Sequence, residues 1–260
     1  MTGWLRLEGG DWAPADPAAG PVAAADSWLV EDGRARGAAL HWARFARGCA
    51  EAGVGLPAGL RAAVEHALPA TGRWWPRVEA RTGGEVRLAV RRAPAREPTV
   101  AVWVSDRPDP RTAPRRKGPD LERLAALRAE AARHGAEEAL LADGDARLLE
   151  GAYTSLLWWE DGALGAVPDD APILDGVTRR LLLGLAAADG VTVRYRRPAP
   201  AELAGREVWL TSALHGIRAV RGWAGGAAAG ASTRADEWQA RLAALAEPVE
   251  AGTEAPRPRV

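Results

Sequence analysis

Val86, Leu88 and Val90 alternate with Arg87, Ala89 and Arg91, the two-residue period of a half-buried strand, and Thr99–Val104 supplies a second strand. A different rhythm governs Ala38–Glu51. There Leu40, Trp42, Phe45 and Cys49 stand at mixed helical spacings among His41, Arg44 and Arg47, and Gly53 closes the predicted helix. Leu60–Leu68 predicts a second helix. Ahead of them, Pro, Ala and Gly between Ala13 and Ala25 predict a loop, followed by a short strand at Ser27–Val30 and a turn at Asp32-Gly33. Asp106–Pro119 packs four prolines among charges, which predicts an extended linker.

Pro119 suits the first turn of a helix whose stripe is Leu121, Leu124, Ala125, Arg128, Ala131 and Ala132, ending near His134-Gly135. Glu138–Asp143, Arg147–Glu150 and Ser155–Glu160 predict successive strands of a meander, with turns at Asp143-Gly144 and Asp161-Gly162. A helix over Arg179–Ala188 stops at Gly190, and strands follow at Val191–Tyr195 and Glu207–Ser212. Gly225–Ser232 is low in complexity, Ala235–Ala246 predicts a last helix, and the tail to Val260 is expected to fray. Strand and helix are mixed throughout, so the fold class expected is α/β (α+β). Two domains are expected: residues 1–104, then a linker over 105–118, then 119–260.

Composition narrows the function. A formal net charge of zero over 260 residues argues against a nucleic-acid partner, and no segment has the length or apolarity to span a membrane or resembles a leader. A cytoplasmic protein acting on a small molecule is expected. Cys49 is the single cysteine, placed for helix packing, and the four histidines (His41, His66, His134, His215) have no ligand spacing, so no metal is expected. No G-x-S-x-G elbow is present. Trp74-Trp75 and Trp158-Trp159 place one indole on each face of a strand, for core or dimer packing.

One cation stands apart. Lysine and arginine together number 34, and Lys117 is the only lysine, so 33 are arginine. A lysine amine deprotonates and forms a Schiff base, which a guanidinium does not. The plainer alternative is a leftover surface lysine.

Four further stretches keep a fixed order with Lys117: Leu40-His41-Trp42-Ala43-Arg44-Phe45, Leu149-Glu150-Gly151-Ala152-Tyr153-Thr154-Ser155, Ile173-Leu174-Asp175-Gly176-Val177-Thr178-Arg179 and Val208-Trp209-Leu210-Thr211-Ser212-Ala213-Leu214. From Asp26 to Trp223 the chain resembles the class IV aminotransferase family, the fold-type IV enzymes that use pyridoxal 5'-phosphate. The resemblance implies a small N-terminal α/β domain and a larger C-terminal domain with a barrel-like sheet, the cofactor in the cleft between them, and a homodimer. It implies that Lys117 is the Schiff-base lysine and proton carrier and that Glu150 faces the pyridine nitrogen. It also implies that Arg44 pairs with the phosphate and that Gly176, Val177 and Thr178 bring helix-entry N–H groups and a hydroxyl to it. Thr211 and Ser212 complete the cofactor set, with Ser155, Ala213, Leu214 and His215 toward the substrate.

Each residue has a plainer reading: Glu150 as a hairpin carboxylate, Thr178 as a helix cap, Arg44 as a solvated helix charge, His215 as a polar loop residue. The chain also departs from the family. Asp26-Ser27-Trp28-Leu29-Val30 stands where Gly-Phe-Glu-Thr is usual, and Ser155 and Asp120 replace two asparagines. The compact chain and Ser212-Ala213-Leu214 resemble the 4-amino-4-deoxychorismate lyase branch, which releases pyruvate. The alternatives are a transaminase for a D-amino, branched-chain or specialised amine substrate, and a fold-type IV binding protein without turnover.

Overall fold

The structure is a computed structural model that describes residues 3–15, 20–226 and 228–249. The first stretch of chain forms β1 (Leu5–Glu8), β2 (Asp11–Pro14), β3 (Val22–Ser27), β4 (Val30–Glu31), β5 (Arg34–Arg36), α1 (Ala38–Glu51) and α2 (Leu60–His66). Next come β6 (Arg73–Trp74), β7 (Arg77–Arg81), β8 (Val86–Ala89), β9 (Thr99–Val104), α3 (Leu121–Arg133), β10 (Glu138–Ala142) and β11 (Leu148–Gly151). The rest forms β12 (Ser155–Glu160), β13 (Ala163–Ala166), α4 (Val177–Ala188), β14 (Val193–Tyr195), β15 (Val208–Ser212), β16 (Gly216–Trp223), α5 (Ala235–Ala244) and β17 (Ala246–Pro248). The tail expected to fray lies, from residue 250 on, outside the described residues.

These elements sort into two compact units. The first comprises Met1–Ala95, Arg116–Pro119 and Leu245–Val260. It holds an antiparallel sheet of order β2-β1-β8-β7-β3 and a smaller one of order β17-β5-β4-β6. Helix α1 packs on β3, burying Trp42, Phe45 and the expected packing cysteine, Cys49. Asp32 and Gly33 both adopt positive φ between the paired Glu31 and Arg34, which is the tight two-residue hairpin turn that an Asp-Gly pair favours.

Part of the loop expected over Ala13–Ala25 (residues 16–19) lies outside the described residues, and both its ends are strand: Ala13 and Pro14 in β2, Val22–Ala25 in β3. Ala23, Ala24 and Ala25 of β3 are at most 3% exposed, and their small side chains permit the close packing described below. Alanine's weak strand preference misleads where tertiary contact decides.

The second unit comprises Arg96–Arg115 and Asp120–Ala244. Its eight-stranded sheet runs β11-β10-β9-β16-β15-β12-β13-β14. Here the residues expected to end the first domain lie in the middle of another sheet: Thr99–Val104 pairs in parallel with β10 and with β16. The reason is topological. Parallel neighbours need a long crossover, and α3 is that crossover between β9 and β10, packing on both. The expected meander is corrected as well. Strands β10 and β11 form a hairpin, but β12 pairs with β13 and β15. Every residue of β12 is buried, as befits a strand flanked on both sides.

The core of this unit gathers Val100, Val102, Leu140, Leu156, Trp158 and Leu210. A Cβ at Gly165 would overlap the indole of Trp158, its cross-strand partner, so the glycine is the space in which that ring lies. Trp159 turns to the opposite face and meets Trp209 and Trp238 at ring-centre distances of 5.7 and 5.3 Å. In the first unit Trp74 and Trp75 are covered by the guanidinium groups of Arg92 and Arg91, 4.2 and 4.0 Å from the ring centres.

Candidate active site

In the first unit, Lys117 is placed by backbone. Its carbonyl accepts a 2.8 Å hydrogen bond from the Ala25 N–H of β3. The next residue, Gly118, has φ +136°, and a Cβ there would come within 2.9 Å of Ala24 Cα. On the other side of Ala24, a Cβ at Gly48 of α1 would meet Ala24 Cβ at 3.4 Å and Arg116 Cγ at 3.3 Å. Glycine and alanine at these positions let the lysine segment, β3 and α1 approach each other.

Beside Ala25, Asp26 is wholly buried and organises the charges. Arg44 donates Nε to Oδ2 at 2.9 Å and Nη2 to Oδ1 at 2.7 Å, while His41 Nδ1 lies 2.9 Å from Oδ1. Burial opposes the carboxylate, but the Arg44 and His41 charges outweigh it and hold the Asp26 pKa well below the usual carboxylate value. Burial likewise pushes the His41 pKa down, against the pull of Asp26, and the Arg44 and Lys117 charges add to the lowering. Arg44 is thus a buried, bidentate partner of Asp26, whatever anion it also meets.

In the second unit, Glu150 lies one residue before the end of β11 with its carboxylate buried. Oε1 accepts the Leu174 N–H at 2.8 Å and pairs with Arg111 Nη1. Arg111 is itself fixed: Nη2 donates to Asp109 Oδ2 at 2.7 Å and to Pro172 O at 2.9 Å. Burial raises the Glu150 pKa, and the Arg111 guanidinium opposes that rise. Asp120 fastens the segment that carries Arg111, accepting from Thr112 N, Thr112 Oγ1 and Ala113 N at 2.9–3.1 Å. These bonds hold the Asp120 carboxyl below its ordinary pKa in spite of burial.

The entrance of α4 forms a second cluster. Gly176 precedes the helix in an extended conformation and gives it no side-chain cap, so the first N–H groups, from Val177 and Thr178, are offered outward. The helix begins at Val177, two residues before the expected start. A Cβ at Gly176 would overlap Ser155 Oγ, which sets the Ser155 hydroxyl against the helix entrance. Thr211 pairs with Ser155 across β12 and β15, its Oγ1 3.5 Å from Ser155 O. Beyond it, Ser212 Oγ accepts the His215 N–H at 3.3 Å, closing the turn that contains Ala213 and the buried Leu214. His215 is tied into the fold. Its Nδ1 accepts from Glu97 N at 3.2 Å, its carbonyl accepts from Arg96, and burial with the Arg218 charge lowers its pKa to about 4.

Two groups of expected residues are therefore assembled: Lys117 and Arg44 around Asp26 in the first unit, and Glu150, Ser155, Gly176, Val177, Thr178, Thr211 and Ser212 in the second. They fit pyridoxal phosphate chemically. A single side-chain amine is present, both protein contacts of Glu150 fall on Oε1 so that Oε2 accepts none among the described residues, and the α4 entrance is a cradle that a side chain at Gly176 would fill. Two participants were invisible in the sequence. Arg111 lies in a proline-rich stretch that looks like linker, and Asp26 lies in a strand that departs from the family pattern. A lone Arg-Asp pair two residues apart carries no signal of a partner 39 residues away.

Residues 23–223 match the family model described as amino-transferase class IV. No curated protein matches the chain in sequence. Among solved structures, the branched-chain amino acid aminotransferase of Escherichia coli superposes with a TM-score of 0.80 at 18% identity, over 94% of this chain and 95% of that one. A hypothetical aminotransferase from Mycobacterium tuberculosis in its PLP-bound form gives 0.77 at 20% identity, over 94% and 98%. The fold IV transaminase of Curtobacterium pusillum gives 0.74 at 19%, over 94% and 97%. The mixed α/β architecture with a curled, half-barrel sheet is common to them.

Proposed function

Because the chain belongs to the class IV aminotransferase family, we propose that this pyridoxal-phosphate-dependent enzyme is a lyase of the 4-amino-4-deoxychorismate lyase kind, eliminating pyruvate from an amino-substituted substrate. The observation that carries the choice is the turn after β15. Ser212 spends its hydroxyl on the turn's own His215 N–H, and Ala213 and Leu214 add no further side-chain hydroxyl, so the turn resembles the Asn-Ala-Leu of that branch more than the hydroxyl-rich turns of transaminating relatives.

Bound pyridoxal phosphate supplies an electron sink for the carbon that bears the substrate amine. Lys117 Nζ takes the proton from that carbon. The electron pair left behind forms a double bond to the neighbouring carbon as the C–O bond to the enolpyruvyl group breaks, and the departing enolate gains a proton to become pyruvate. Glu150, kept in place by Arg111 and Leu174 N–H, presents Oε2 to the pyridine nitrogen and favours its protonated form. The α4 N–H groups, Thr178 and Ser155 would offer donors to a phosphate, and Arg44, oriented by Asp26, is the cation that the family likeness assigns to such an anion.

The second reading is a transaminase, favoured by the fold shared with a branched-chain aminotransferase and a fold IV transaminase. In it Lys117 still removes the proton, and an added 2-oxo acid takes the amino group. The purified enzyme given 4-amino-4-deoxychorismate without acceptor is expected to release pyruvate. Turnover that requires a 2-oxo acid, with no pyruvate in its absence, overturns the lyase reading. The functional form is read as a homodimer, which sedimentation velocity tests directly.

A further inference from the structure

Behind Glu150 lies a second buried carboxylate. Glu138 of β10 is 1% exposed, and its Oε1 accepts the N–H of Ala139 at 3.1 Å while the Tyr153 N–H also reaches the carboxylate. Its neighbour across the hairpin is the tight turn Gly151–Thr154 that follows Glu150, closed by Gly151 N–H donating to Thr154 O at 2.8 Å. The turn is moulded onto Glu138: a Cβ at Gly151 would come 3.2 Å from Glu138 Cγ and would overlap Thr154 Oγ1. Ala152 N–H donates to Ala139 O at 2.8 Å, fastening the same turn to the same strand.

Helix α3 closes the arrangement. Arg128 places Nε 3.6 Å from Glu138 Oε1, stacks its guanidinium 4.7 Å from the ring centre of Tyr153, and donates Nη2 to Glu137 O at 3.3 Å. Tyr153 Oη in turn reaches Leu121 O, at the first residue of α3, over 3.5 Å. Leu121 is four residues beyond Lys117 in the chain. The helix that follows the amine and the turn that follows the pyridine-facing acid are thereby clamped together through one carboxylate, one guanidinium and one phenol.

We propose that Glu138 is a positioning residue for Glu150, acting through the Gly151–Thr154 turn and the Arg128–Tyr153 clamp, so that its charge state sets how firmly Glu150 is held toward the cofactor. The proposal rests on the pyridine-facing role of Glu150. Burial raises the Glu138 pKa to about 7, against the pull of Arg128, the Ala139 N–H and Arg218. The other charged groups near it are committed elsewhere: Arg218 to Glu97 at 2.6 Å and to Thr99 O, and Glu137 to Arg221 and to Ala101 N–H at 2.6 Å. The carboxylate thus changes charge near neutral pH, with Arg128 its one facing cation from α3.

The test is the absorbance of the bound cofactor, which reports the protonation of its ring nitrogen, with turnover at saturating pyridoxal phosphate, both measured from pH 5.5 to 8.5 on wild type, E138Q and R128Q. Glutamine keeps the acceptor but not the charge. E138Q is expected to turn over about tenfold more slowly than wild type at pH 8.5, the scale of one charge-assisted hydrogen bond, with less of the protonated-ring absorbance, and to match wild type at pH 5.5, where wild type is itself neutral at Glu138. In R128Q, whose altered side chain is 38% exposed and tolerates exchange, the same transition should move to higher pH. A variant-to-wild-type ratio that stays constant across pH in E138Q, or an unmoved transition in R128Q, overturns the proposal. Should E138Q fail to fold, the R128Q transition alone decides. E150Q run alongside separates the two ideas: normal turnover there sinks the role of Glu150, whereas impaired turnover in E150Q beside pH-independent E138Q sinks only that of Glu138.

Discussion

Arg111 and Glu150 form a buried ion pair across 39 residues of chain, each side chain 5% exposed. A carboxylate facing a pyridine nitrogen has to stay charged in a site that excludes water, and burial alone raises its pKa. Arg111 supplies the opposing charge on Oε1, and among the described residues no donor meets Oε2. Replacing Arg111 by Met leaves Glu150 buried and unpaired, at a cost of roughly 3–5 kcal/mol. The urea midpoint of the cofactor-free protein should fall accordingly. A wild-type midpoint would mean that the pair is dispensable to the fold.

Glu150→Gln keeps the shape of the side chain and removes its charge. Pyridoxal phosphate should bind almost normally, while turnover drops by roughly two orders of magnitude or more, the scale of one well-placed electrostatic group. Cofactor titration and steady-state rates on one preparation check both halves. Full activity would reassign Glu150 to a hairpin role.

Lys117→Ala should abolish covalent retention of pyridoxal phosphate after borohydride reduction, since no second lysine exists to take its place. Intact-mass spectrometry reads this directly. A reduced adduct on the variant would dismiss the central assignment.

Gly118→Ala acts at the same place through the backbone. A Cβ at φ +136° meets the Ala24 backbone at 2.9–3.0 Å, so the lysine segment has to move away from β3. A loss of about 1–3 kcal/mol is expected, the range for a strained backbone position. Denaturant unfolding measures it, and an unchanged midpoint would show that the segment yields freely.

His215 provides a pH signature of the fold. Its folded pKa of about 4 lies below the ordinary 6.5, so the unfolded chain binds the extra proton first as acid is added. Stability from this group is complete above pH 6.5 and is lost as the pH falls toward 4. In His215→Asn the decline over that interval should be shallower in thermal melts. Identical slopes would assign the acid sensitivity to other groups.

Much of this was legible in the residues. The α1 pattern, the helix after Lys117 and the Asp161-Gly162 turn, whose two positive φ angles close the β12–β13 hairpin, all follow from local spacing and turn chemistry. What stayed hidden was set by distant partners. The alanines of β3 form a strand because Gly48 and Gly118 pack on them, and β9 leaves the first domain because a crossover helix returns the chain to its side. At the site, Lys117 and Glu150 stood out by residue type and order. Arg111, Asp26 and Glu138 could not, since their roles depend on burial and on partners brought together by the sheets.

The surface chemistry that results is unusual. Where other proteins spread many ε-amines over their exterior, this one carries guanidinium groups, from the cations over Trp74 and Trp75 to those along α3. Acylating esters, cyanate and aldehyde cross-linkers, which modify most proteins at dozens of places, find a single side-chain amine here. Occupancy of the site can therefore be followed by protection of this one ε-amine from acylation, with the chain's α-amino group serving as the reference.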